Sequence, residues 1–420
     1  MNVLINATVI ARKRAGVGVY AENLIRELVR AKRDAHLFIL ALSDDEDLDY
    51  SHHSNVTMIW APAKIFRILP LRFVLLEQMI LPFLLWRHRI DVVHSLHYSF
   101  PLISFTSKTV VTIHDMTFFS MPEVHVPLKT FIFRRFIEAS ARWVDSLIFV
   151  SRSAESDYLE ILGQPRGFTS VIYHGKSDLF VPSASPTLIA DLLSKYSLPG
   201  NFILFVGTIE PRKNLLRLVN AFATIAASNP HTSLVLAGMK GWLYDEIFER
   251  VRRLNLESRV LFTGFVDEQD KPTLLAAAAV FAYPSLYEGF GIPVLEALAC
   301  GTPTVTSNVS SLPEVAGTAA LMVDPHNTEE IATALDRLLN DQTLRAALRE
   351  ASLHQAAKFT WPKAAQQTLE VYKSALHTGF GFKEASTKSI PKFTAAAENS
   401  KDGLKKPFAR EQRSRISTAS

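Results

Sequence analysis

The sequence predicts an α/β protein with two parallel-sheet domains, and three observations lead to this prediction. Short β-branched runs alternate with longer amphipathic stretches along most of the chain, a pattern typical of parallel sheets with helices on both faces. The strand-like runs are apolar throughout, as in strands buried on both faces. At 420 residues, the chain is also too long for a single hydrophobic core.

The predicted elements fall into two series. The first has strands at 3–6, 37–40, 56–60, 91–94, 110–114 and 147–150, and helices at 17–30, 127–141 and 154–162. The second has strands at 202–207, 234–238, 260–263, 280–284, 304–307 and 320–323, and helices that begin near residues 215, 245, 271, 293 and 329. Residues 180–199 between them are rich in Pro and Ser, as in a linker. We therefore expect an N-terminal domain at 1–185 and a C-terminal domain at 190–378, with a shared site in the cleft between them.

The basic charge of the chain is confined to its end. Residues 383–420 hold six Lys and three Arg against three Glu and one Asp, while the whole chain has a net charge of +4. The body is therefore near neutral, and no nucleic-acid partner is expected. The tail shows no apolar periodicity, so we expect disorder; loose attraction to anionic lipids is the alternative to a simply solvated tail.

The sequence favours a cytoplasmic protein, with peripheral contact at the inner face of the membrane as an open possibility. Cys300 is the single cysteine, which fits a reducing compartment. The first ten residues are typical of a strand and lack the basic region of a signal peptide. The apolar stretch 73–86 is shorter than the roughly 20 residues that span a bilayer. Residues 66–86, bordered by arginines, form either an ordinary core helix or a membrane-facing one; these arginines are Arg67, Arg72, Arg87 and Arg89.

A glycine-rich segment joins the first predicted strand to the first predicted helix. Gly16 and Gly18 would let the backbone approach a ligand closely, and the free N–H groups at the start of the helix would face an anion. With Ala21 the segment matches the G-x-G-x-x-A fingerprint of dinucleotide sites, although residues 9–15 intervene where that fingerprint needs a tight turn. A mobile loop without a ligand is the alternative.

Two adjacent cations follow the first strand of the second series. Arg212 and Lys213 come shortly after Gly207, just before a helix whose amino end is itself electropositive. A diphosphate that leaves with developing negative charge needs such partners. Arg can grip it with a bidentate fork while Lys acts as a point charge. The alternative is a pair of solvated surface cations.

Two glutamates stand eight residues apart, Glu288 in a loop and Glu296 in the helix that follows. Glu288 precedes a Gly-Phe-Gly sequence at 289–291, whose amides could bind an anion or sugar hydroxyls. Glu296 falls on the apolar face of its helix, where a carboxylate is costly unless it accepts hydrogen bonds. A ribose diol offers two such bonds. A buried structural glutamate is the alternative.

This Glu-x7-Glu stretch, with residues 207–214 before it and Gly301-Thr302-Pro303 after it, resembles the family 4 glycosyltransferases of GT-B fold. The resemblance covers roughly residues 1–375, and it extends to the mannosyltransferases of bacterial polysaccharide assembly. It implies two Rossmann-like domains, an N-terminal acceptor side and a C-terminal side for the nucleotide-sugar donor. It also implies a metal-independent reaction that retains the anomeric configuration.

The resemblance also implies roles for the residues that match its motifs. Arg212 and Lys213 would hold the donor diphosphate, Glu296 would bind the ribose hydroxyls, and Glu288 would bind the transferred hexose. His114 would lie near the donor sugar, where it either assists the leaving oxygen or hydrogen-bonds the sugar. The other implied donor contacts are Gly16, Gly18, Gly207, Phe265, Val266, Gly289, Phe290 and Gly291.

No metal or other cofactor is expected. Asp47 and Asp49 have the spacing of the Asp-x-Asp pair that the other large glycosyltransferase architecture uses for a divalent cation. They lie, however, in an acidic loop with no apolar strand leading into it. No His/Cys cluster has the spacing of a zinc site. Arg212 and Lys213 would then take the metal's role.

We therefore expect a hexosyltransferase that acts on a saccharide or lipid-linked acceptor. GDP-mannose is preferred over UDP-glucose or a UDP-N-acetylhexosamine by resemblance alone. An NAD-dependent oxidoreductase built on Gly16 and Gly18 is one alternative, but it leaves the glutamates and cations unexplained. A catalytically inactive GT-B-like nucleotide-binding scaffold is another, and it gives no physical reason to keep Glu296 inside an apolar helix face.

Overall fold

The computed structural model describes residues 1–10, 16–31, 35–68, 71–182, 185–241 and 244–377. The described chain forms two parallel sheets, one of seven strands in the order β3-β2-β1-β4-β5-β6-β7 and one of six in the order β10-β9-β8-β11-β12-β13. The predicted α/β class with two parallel-sheet domains is confirmed. The tail predicted to be disordered, residues 383–420, lies outside the described residues.

The first sheet contains every strand of the first predicted series and one more. Strands β1 to β7 span Asn2–Asn6, His36–Leu42, Val56–Ala61, Val92–Ser95, Lys108–Ile113, Ser146–Phe149 and Phe168–Val171. The additional strand, β7, pairs only with β6 at the edge of the sheet. All four of its residues are half-buried and two are polar, so it lacks the continuous apolar run that identifies the central strands.

The second sheet matches its predicted series to within one residue at each end. Strands β8 to β13 span Phe202–Val206, Ser233–Ala237, Val260–Gly264, Val280–Tyr283, Thr304–Ser307 and Leu321–Val323. β8, β9, β11 and β12 are buried along their whole length. Because helices cover both faces of such a sheet, its strands are apolar on both sides and easy to predict.

Helices connect most pairs of successive strands. The α-helices among the described residues are Gly16–Arg30, Ala63–Phe66, Leu81–Arg87, Thr117–Ser120, Pro127–Trp143, Arg152–Leu162, Pro186–Lys195, Leu215–Ile225, Asp245–Arg253, Lys271–Ala277, Ile292–Ala299, Leu312–Ala316, Thr328–Asn340, Gln342–Ala356 and Trp361–His377. A π-helix, Arg72–Ile80, runs directly into Leu81–Arg87. All the predicted helices are present. Several begin at a side-chain cap, such as Asn327, whose oxygen accepts from the amides of Glu329 and Glu330.

The last described helix returns to the first sheet. Trp361–His377 follows the second sheet in sequence, yet Trp361 and Tyr372 belong to the same core cluster as the helix Gly16–Arg30. The Tyr372 hydroxyl also lies 2.7 Å from Nδ1 of His94 on β4. The predicted range 190–378 places this helix in the second domain, because apolar periodicity shows that a helix is packed but not against which sheet. We call the first sheet, its helices and Trp361–His377 the first domain, and the second sheet with its helices the second domain.

The strand order determines where a ligand can bind. In the first sheet the chain leaves β1 toward β2 on one side but leaves β4 toward β5 on the other, and in the second sheet it leaves β8 toward β9 but β11 toward β12. Loops that diverge at such a switch point leave a crevice at the carboxyl ends of the strands. Gly16 follows β1, Arg212 follows β8 and Glu288 follows β11. The predicted site residues therefore lie beside the two switch points.

Candidate active site

A cleft at the carboxyl ends of the strands is lined by residues of both domains. The first domain contributes Gly16 and His114 among others, and the second contributes both cations and both glutamates. Twelve of the predicted site residues line this cleft, namely Gly16, His114, Gly207, Arg212, Lys213, Phe265, Val266, Glu288, Gly289, Phe290, Gly291 and Glu296. Residues that are far apart in sequence are thus brought to one site.

Gly18 is the predicted site residue that does not line the cleft. The helix begins at Gly16, so Gly18 already lies in its first turn, where it is buried. Gly16 lies at the cleft with a φ of 20°, a conformation that favours glycine. Residues 11–15, which include the start of the predicted glycine-rich segment, are outside the described part of the chain.

Arg212 and Lys213 converge on the carboxylate of Glu288. Lys213 Nζ lies 2.6 Å from Glu288 Oε1, and Arg212 Nη1 lies 2.8 Å from Glu288 Oε2. Arg212 also donates to Glu210 at 2.7 Å, and Lys213 donates to the Tyr283 hydroxyl at 2.7 Å. We call Glu210, Arg212, Lys213 and Glu288 the ion cluster. Its two cations and two carboxylates balance one another.

The ion cluster is held away from water. Lys213 and Glu288 are each 7% exposed, and Glu210 is 5% exposed. Burial alone would raise the pKa of Glu288, but the neighbouring charges of Arg212 and Lys213 outweigh it and lower this pKa to about 2. Glu288 is therefore ionised at neutral pH. A ligand with several negative charges can compete with Glu288 for the cations, and the low local dielectric strengthens that interaction.

Asn214 anchors the loop that carries the two cations. It adopts the left-handed conformation, with φ of 60°, directly between the short 3-10 turn Pro211–Lys213 and the helix Leu215–Ile225. Its side-chain amide donates to the carbonyls of Pro284 at 3.0 Å and Pro325 at 2.6 Å. These bonds tie the loop after β8 to the loops after β11 and β13, so the position of the cations is determined by the sheet.

Gly289 brings the second domain against the first. A Cβ atom at this position would lie 2.0 Å from the carbonyl oxygen of His114. This distance is too short for any residue other than glycine. The carbonyl of Gly289 accepts a hydrogen bond of 2.6 Å from Ser151 Oγ in the first domain. The loop that carries Glu288 therefore closes directly over His114.

Glu296 lies in the cleft on the helix Ile292–Ala299. The residue is 7% exposed, and its carboxylate forms no side-chain hydrogen bond with any residue that the structure describes. Burial raises the pKa of Glu296 to about 7; Lys271 opposes this rise and Glu268 adds to it. A buried carboxylate without donors is costly, so this one is suited to a ligand that brings its own hydroxyl groups.

His114 is poised as a hydrogen-bond acceptor. Its Nε2 lies 2.8 Å from the carbonyl oxygen of Leu96. Because a carbonyl can only accept, Nε2 carries the proton, and a neutral ring then has an acceptor at Nδ1. Burial lowers the pKa of His114, although Leu96 and Asp115 oppose this shift, so the ring is neutral at pH 7.

Several residues line the cleft that sequence reasoning did not single out. Glu210 belongs to the ion cluster, and Asp115 and His174 lie on the first-domain wall. Glu268 and Lys271 form an ion pair beside Glu296. Glu210 lies within the predicted segment 207–214, and a carboxylate two residues before Arg212 could have indicated the ion pair that these two residues form. The positions of Glu268 and Lys271 depend on how the loop after β10 folds back, which no local pattern reveals.

No group of three or more His, Cys, Asp or Glu side chains that could hold a metal ion is found among the described residues. Asp47 and Asp49 are exposed beside the short 3-10 turn Glu46–Leu48 after β2, and neither lines the cleft. Metal independence stays a prediction.

Comparison with known proteins identifies the family. The model for glycosyl transferases group 1 matches residues 194–355, and the model for glycosyltransferase family 4 matches residues 14–176. The O-antigen chain mannosyltransferase B of Escherichia coli is 34% identical over 268 residues, which are 63% of this chain and 70% of that protein. The serotype-specific mannosyltransferase WbdA of Escherichia coli is 31% identical over 329 residues, 74% of this chain but 40% of the longer relative.

Solved structures share the fold. The sucrose-phosphate synthase from Thermosynechococcus elongatus has a TM-score of 0.70 at 22% identity, covering 89% of this chain and 98% of that one. Anabaena HepE, in complex with UDP and glucose, has a TM-score of 0.69 at 22% identity, covering 89% and 100%. The chain therefore belongs to the family 4 glycosyltransferases and has their GT-B fold. The predictions of the family, the fold and a hexosyltransferase are confirmed.

Proposed function

We propose that this glycosyltransferase transfers mannose from GDP-mannose to a hydroxyl group of a saccharide or lipid-linked acceptor in polysaccharide synthesis. We further propose that it retains the anomeric configuration and needs no metal. The observation that carries this proposal is the buried ion cluster, in which Arg212 and Lys213 meet Glu288 in a cleft that Glu296 also lines. Mannose is the sugar named for both mannosyltransferase relatives.

The ion cluster can exchange one set of partners for another. When a donor enters, its diphosphate takes the place of Glu288 on Arg212 and Lys213. The carboxylate of Glu288 is then available to accept hydrogen bonds from the hydroxyls of the hexose. The exchange leaves both cations paired with the diphosphate and leaves Glu288 with hydrogen bonds from the hydroxyls, which matters because a buried charge left without any partner costs several kcal/mol, about 3–5 when one partner is removed.

Bond breaking and bond making take place on one face of the sugar. The bond between the anomeric carbon and the β-phosphate oxygen breaks while the acceptor oxygen forms a bond to the same carbon. The proton of the acceptor hydroxyl passes to the departing phosphate oxygen. Arg212 and Lys213 stabilise the charge that develops on the diphosphate. His114, neutral and with Nδ1 as an acceptor, holds a sugar hydroxyl and does not donate to the leaving group.

The alternatives receive less support from the same residues. An NAD-dependent oxidoreductase would rely on Gly18, which is buried inside its helix. An inactive nucleotide-binding scaffold could also use Glu296 to bind a ribose, but it gives no role to Glu288, whose carboxylate lies in the cleft within 2.8 Å of both cations. Transfer of a sugar to an acceptor hydroxyl is therefore the better-supported function of the cleft.

The configuration of the product tests the proposed reaction. The protein is incubated with GDP-α-mannose, synthetic mannosides and EDTA, and the new linkage is assigned by NMR. We expect an α-linked product, with the UDP-sugars as poorer donors. A β-linked product would contradict retention, and product formation that EDTA abolishes would contradict metal independence. Arg212→Ala, processed in parallel, excludes a contaminating transferase.

We also propose that the first domain binds to an anionic membrane surface, where lipid-linked acceptors reside. The surface, here called the membrane face, is the exposed side of the π-helix Arg72–Ile80 and the helix Leu81–Arg87. Val74, Met79, Phe83 and Trp86 are 56–65% exposed. A π-helical turn brings residues five apart to one side, so Val74 and Met79 align, and α-helical spacing continues the stripe to Phe83 and Trp86.

The buried side of the same helices packs in the first domain, since Phe73, Leu76, Leu81 and Leu85 are at most 4% exposed. The segment is therefore neither a pure core helix nor a span, and no helix among the described residues is long and apolar enough to cross a bilayer. A helix with one face packed and the other apolar and exposed has the form of an interfacial element.

Charge favours an anionic lipid surface as the partner. Between residues 56 and 90 the sole acidic side chain is Glu77, which is fully buried and accepts from Ser99 at 3.0 Å. Lys64, Arg87 and Arg89 are exposed. Each cation near an anionic bilayer contributes about 1 kcal/mol, and Trp and Phe favour the interface.

Vesicle sedimentation tests the membrane face. We expect the full chain to bind vesicles that contain anionic lipid and to bind neutral vesicles weakly, and the Phe83→Glu/Trp86→Glu variant to lose about tenfold or more in partitioning. Leu188→Glu is the matched control, because Leu188 is 57% exposed in the second domain. Unchanged binding of the double variant, together with loss of binding in a chain that ends at residue 382, would assign attachment to the tail instead.

A further inference from the structure

Glu314 of the second domain completes the amino end of a first-domain helix. Its Oε1 accepts from the amide of Ser153 at 2.8 Å, and its Oε2 accepts from the amide of Arg152 at 2.9 Å. Oε2 also accepts from the Tyr173 hydroxyl at 2.9 Å. All three donors belong to the first domain. The carboxylate is thus held by three hydrogen bonds, at a helix end whose partial charge favours an anion.

The amino end of the helix Arg152–Leu162 has no other source for these two bonds among the described residues. The next amide, that of Ala154, donates to Ser151 Oγ, and the amide of Glu155 forms the first regular helix bond, to the Ser151 carbonyl. The amides that precede this bond have no partner within the helix. Of the three amides at residues 152–154, one is satisfied by Ser151 and two by Glu314. The helix end is therefore complete only when the two domains are together.

The segment just before Glu314 also forms hydrogen bonds with the loop that carries Glu288. Ser310 Oγ accepts from the amide of Glu288 at 3.0 Å. Ser311 Oγ lies 2.9 Å from the carbonyl of Glu288 and 2.8 Å from that of Phe290. Residues 310–314 thus contact Glu288 and its loop at one end and the first-domain helix at the other.

Two further contacts lie at the same junction. The Tyr287 hydroxyl donates to Asp157 on the first-domain helix at 2.5 Å, and Ser151 Oγ donates to the Gly289 carbonyl. Residues on both sides of Glu288 therefore bind the helix that Glu314 caps. Movement of the helix end relative to the second domain would move the Glu288 loop with it.

We infer that Glu314 is a positioning residue, which couples closure of the cleft to the placement of the Glu288 loop over the first domain. The inference rests on the proposed function, because the placed loop is the one that binds the donor sugar. Glu314 itself does not line the cleft. Its loss should therefore affect transfer, which needs both domains, far more than binding of the nucleotide, which needs mainly the second domain.

The variant Glu314→Ala separates positioning from stability. We expect its transfer rate to fall about 10- to 100-fold, the scale of a small misplacement far from the chemistry, while its dissociation constant for GDP stays within about twofold of wild type. Glu314→Gln, which keeps an acceptor oxygen, should recover part of the rate. Asn327→Ala is the matched control, because Asn327 caps a helix by accepting from two amides at 3.1 Å within the second domain. It should lower thermal stability without a specific loss of transfer.

Two outcomes of the activity and binding measurements would overturn the inference. One is a loss of transfer in Glu314→Ala no larger than that in Asn327→Ala. The other is a proportional fall of nucleotide binding and transfer in Glu314→Ala. Hydrogen exchange of the amides of Arg152 and Ser153, which both donate to Glu314, provides a readout without activity, and we expect faster exchange in Glu314→Ala. If the proposed function fails, wild type shows no transfer either, yet the exchange difference persists; if the inference fails, wild type is active and the exchange is unchanged.

Discussion

Replacing Arg212 or Lys213 by alanine is expected to lower the turnover number about 100-fold or more, the scale of removing one preorganised stabiliser of developing charge. Both side chains contact one carboxylate in the cleft, that of Glu288, at 2.8 and 2.6 Å. The protein therefore holds both positive charges at one place in the cleft, where they can stabilise the charge that develops on the departing diphosphate. Turnover is measured with saturating donor, so that weaker binding is not mistaken for slower chemistry.

The comparison needs variants that separate charge from geometry. Arg212→Lys keeps the charge but loses the planar fork that contacts Glu210, Glu288 and the Tyr287 carbonyl, so we expect an intermediate loss. Arg253→Ala is the matched control, because Arg253 is an exposed cation of the second domain. Turnover within about threefold of wild type in both alanine variants would exclude a role for the pair, given the size expected for such a stabiliser.

Replacing Glu296 by alanine is expected to weaken donor binding about 100-fold, which corresponds to about 2.7 kcal/mol. The carboxylate is buried and has no hydrogen-bond donor among the described residues, so the ribose hydroxyls would be its first partners. Hydrogen bonds to a charged group contribute about 1.5–3 kcal/mol each. Because the alanine removes a group that is costly to bury, the variant should be at least as stable as wild type. Isothermal titration with GDP measures the affinity.

The same side chain predicts a pH dependence. Its pKa of about 7 in the free protein means that a large fraction is protonated at pH 6 and little at pH 8. Binding to a diol favours the ionised form, so donor affinity should rise as the pH increases through 7 and then level off. Glu296→Gln should abolish this rise. An affinity that is constant from pH 6 to pH 8 in wild type would contradict the assignment of the ribose to Glu296.

The fold could be predicted well from the sequence because most of its strands and helices are marked by patterns within a short stretch of chain. Strands such as β8, buried on both faces, reveal themselves by an uninterrupted apolar run. The edge strand β7 has no such run and is missing from the prediction. The return of Trp361–His377 to the first sheet could not be predicted either, since its apolar positions fit the surface of either sheet.

The candidate site was predicted as a set of residues but not as an arrangement. Glu288 and Glu296 stand out because carboxylates in an apolar or glycine-rich context need an explanation. That Arg212 and Lys213 bind Glu288 is a consequence of the strand order, which places β8 beside β11. Neither this pairing nor the cap that Glu314 supplies to a distant helix is visible in any stretch of sequence.

The most direct test of the central claim is thermal unfolding of the full chain with EDTA and a panel of GDP, UDP and NAD. A ligand that binds only the folded state raises stability in proportion to RT ln(1 + [L]/Kd), about 2.7 kcal/mol at one hundred times Kd. We expect a shift with GDP that is larger than the shift with UDP and is lost in Glu296→Ala. Stabilisation by NAD alone, or by a nucleoside diphosphate equally in wild type and Glu296→Ala, would contradict it.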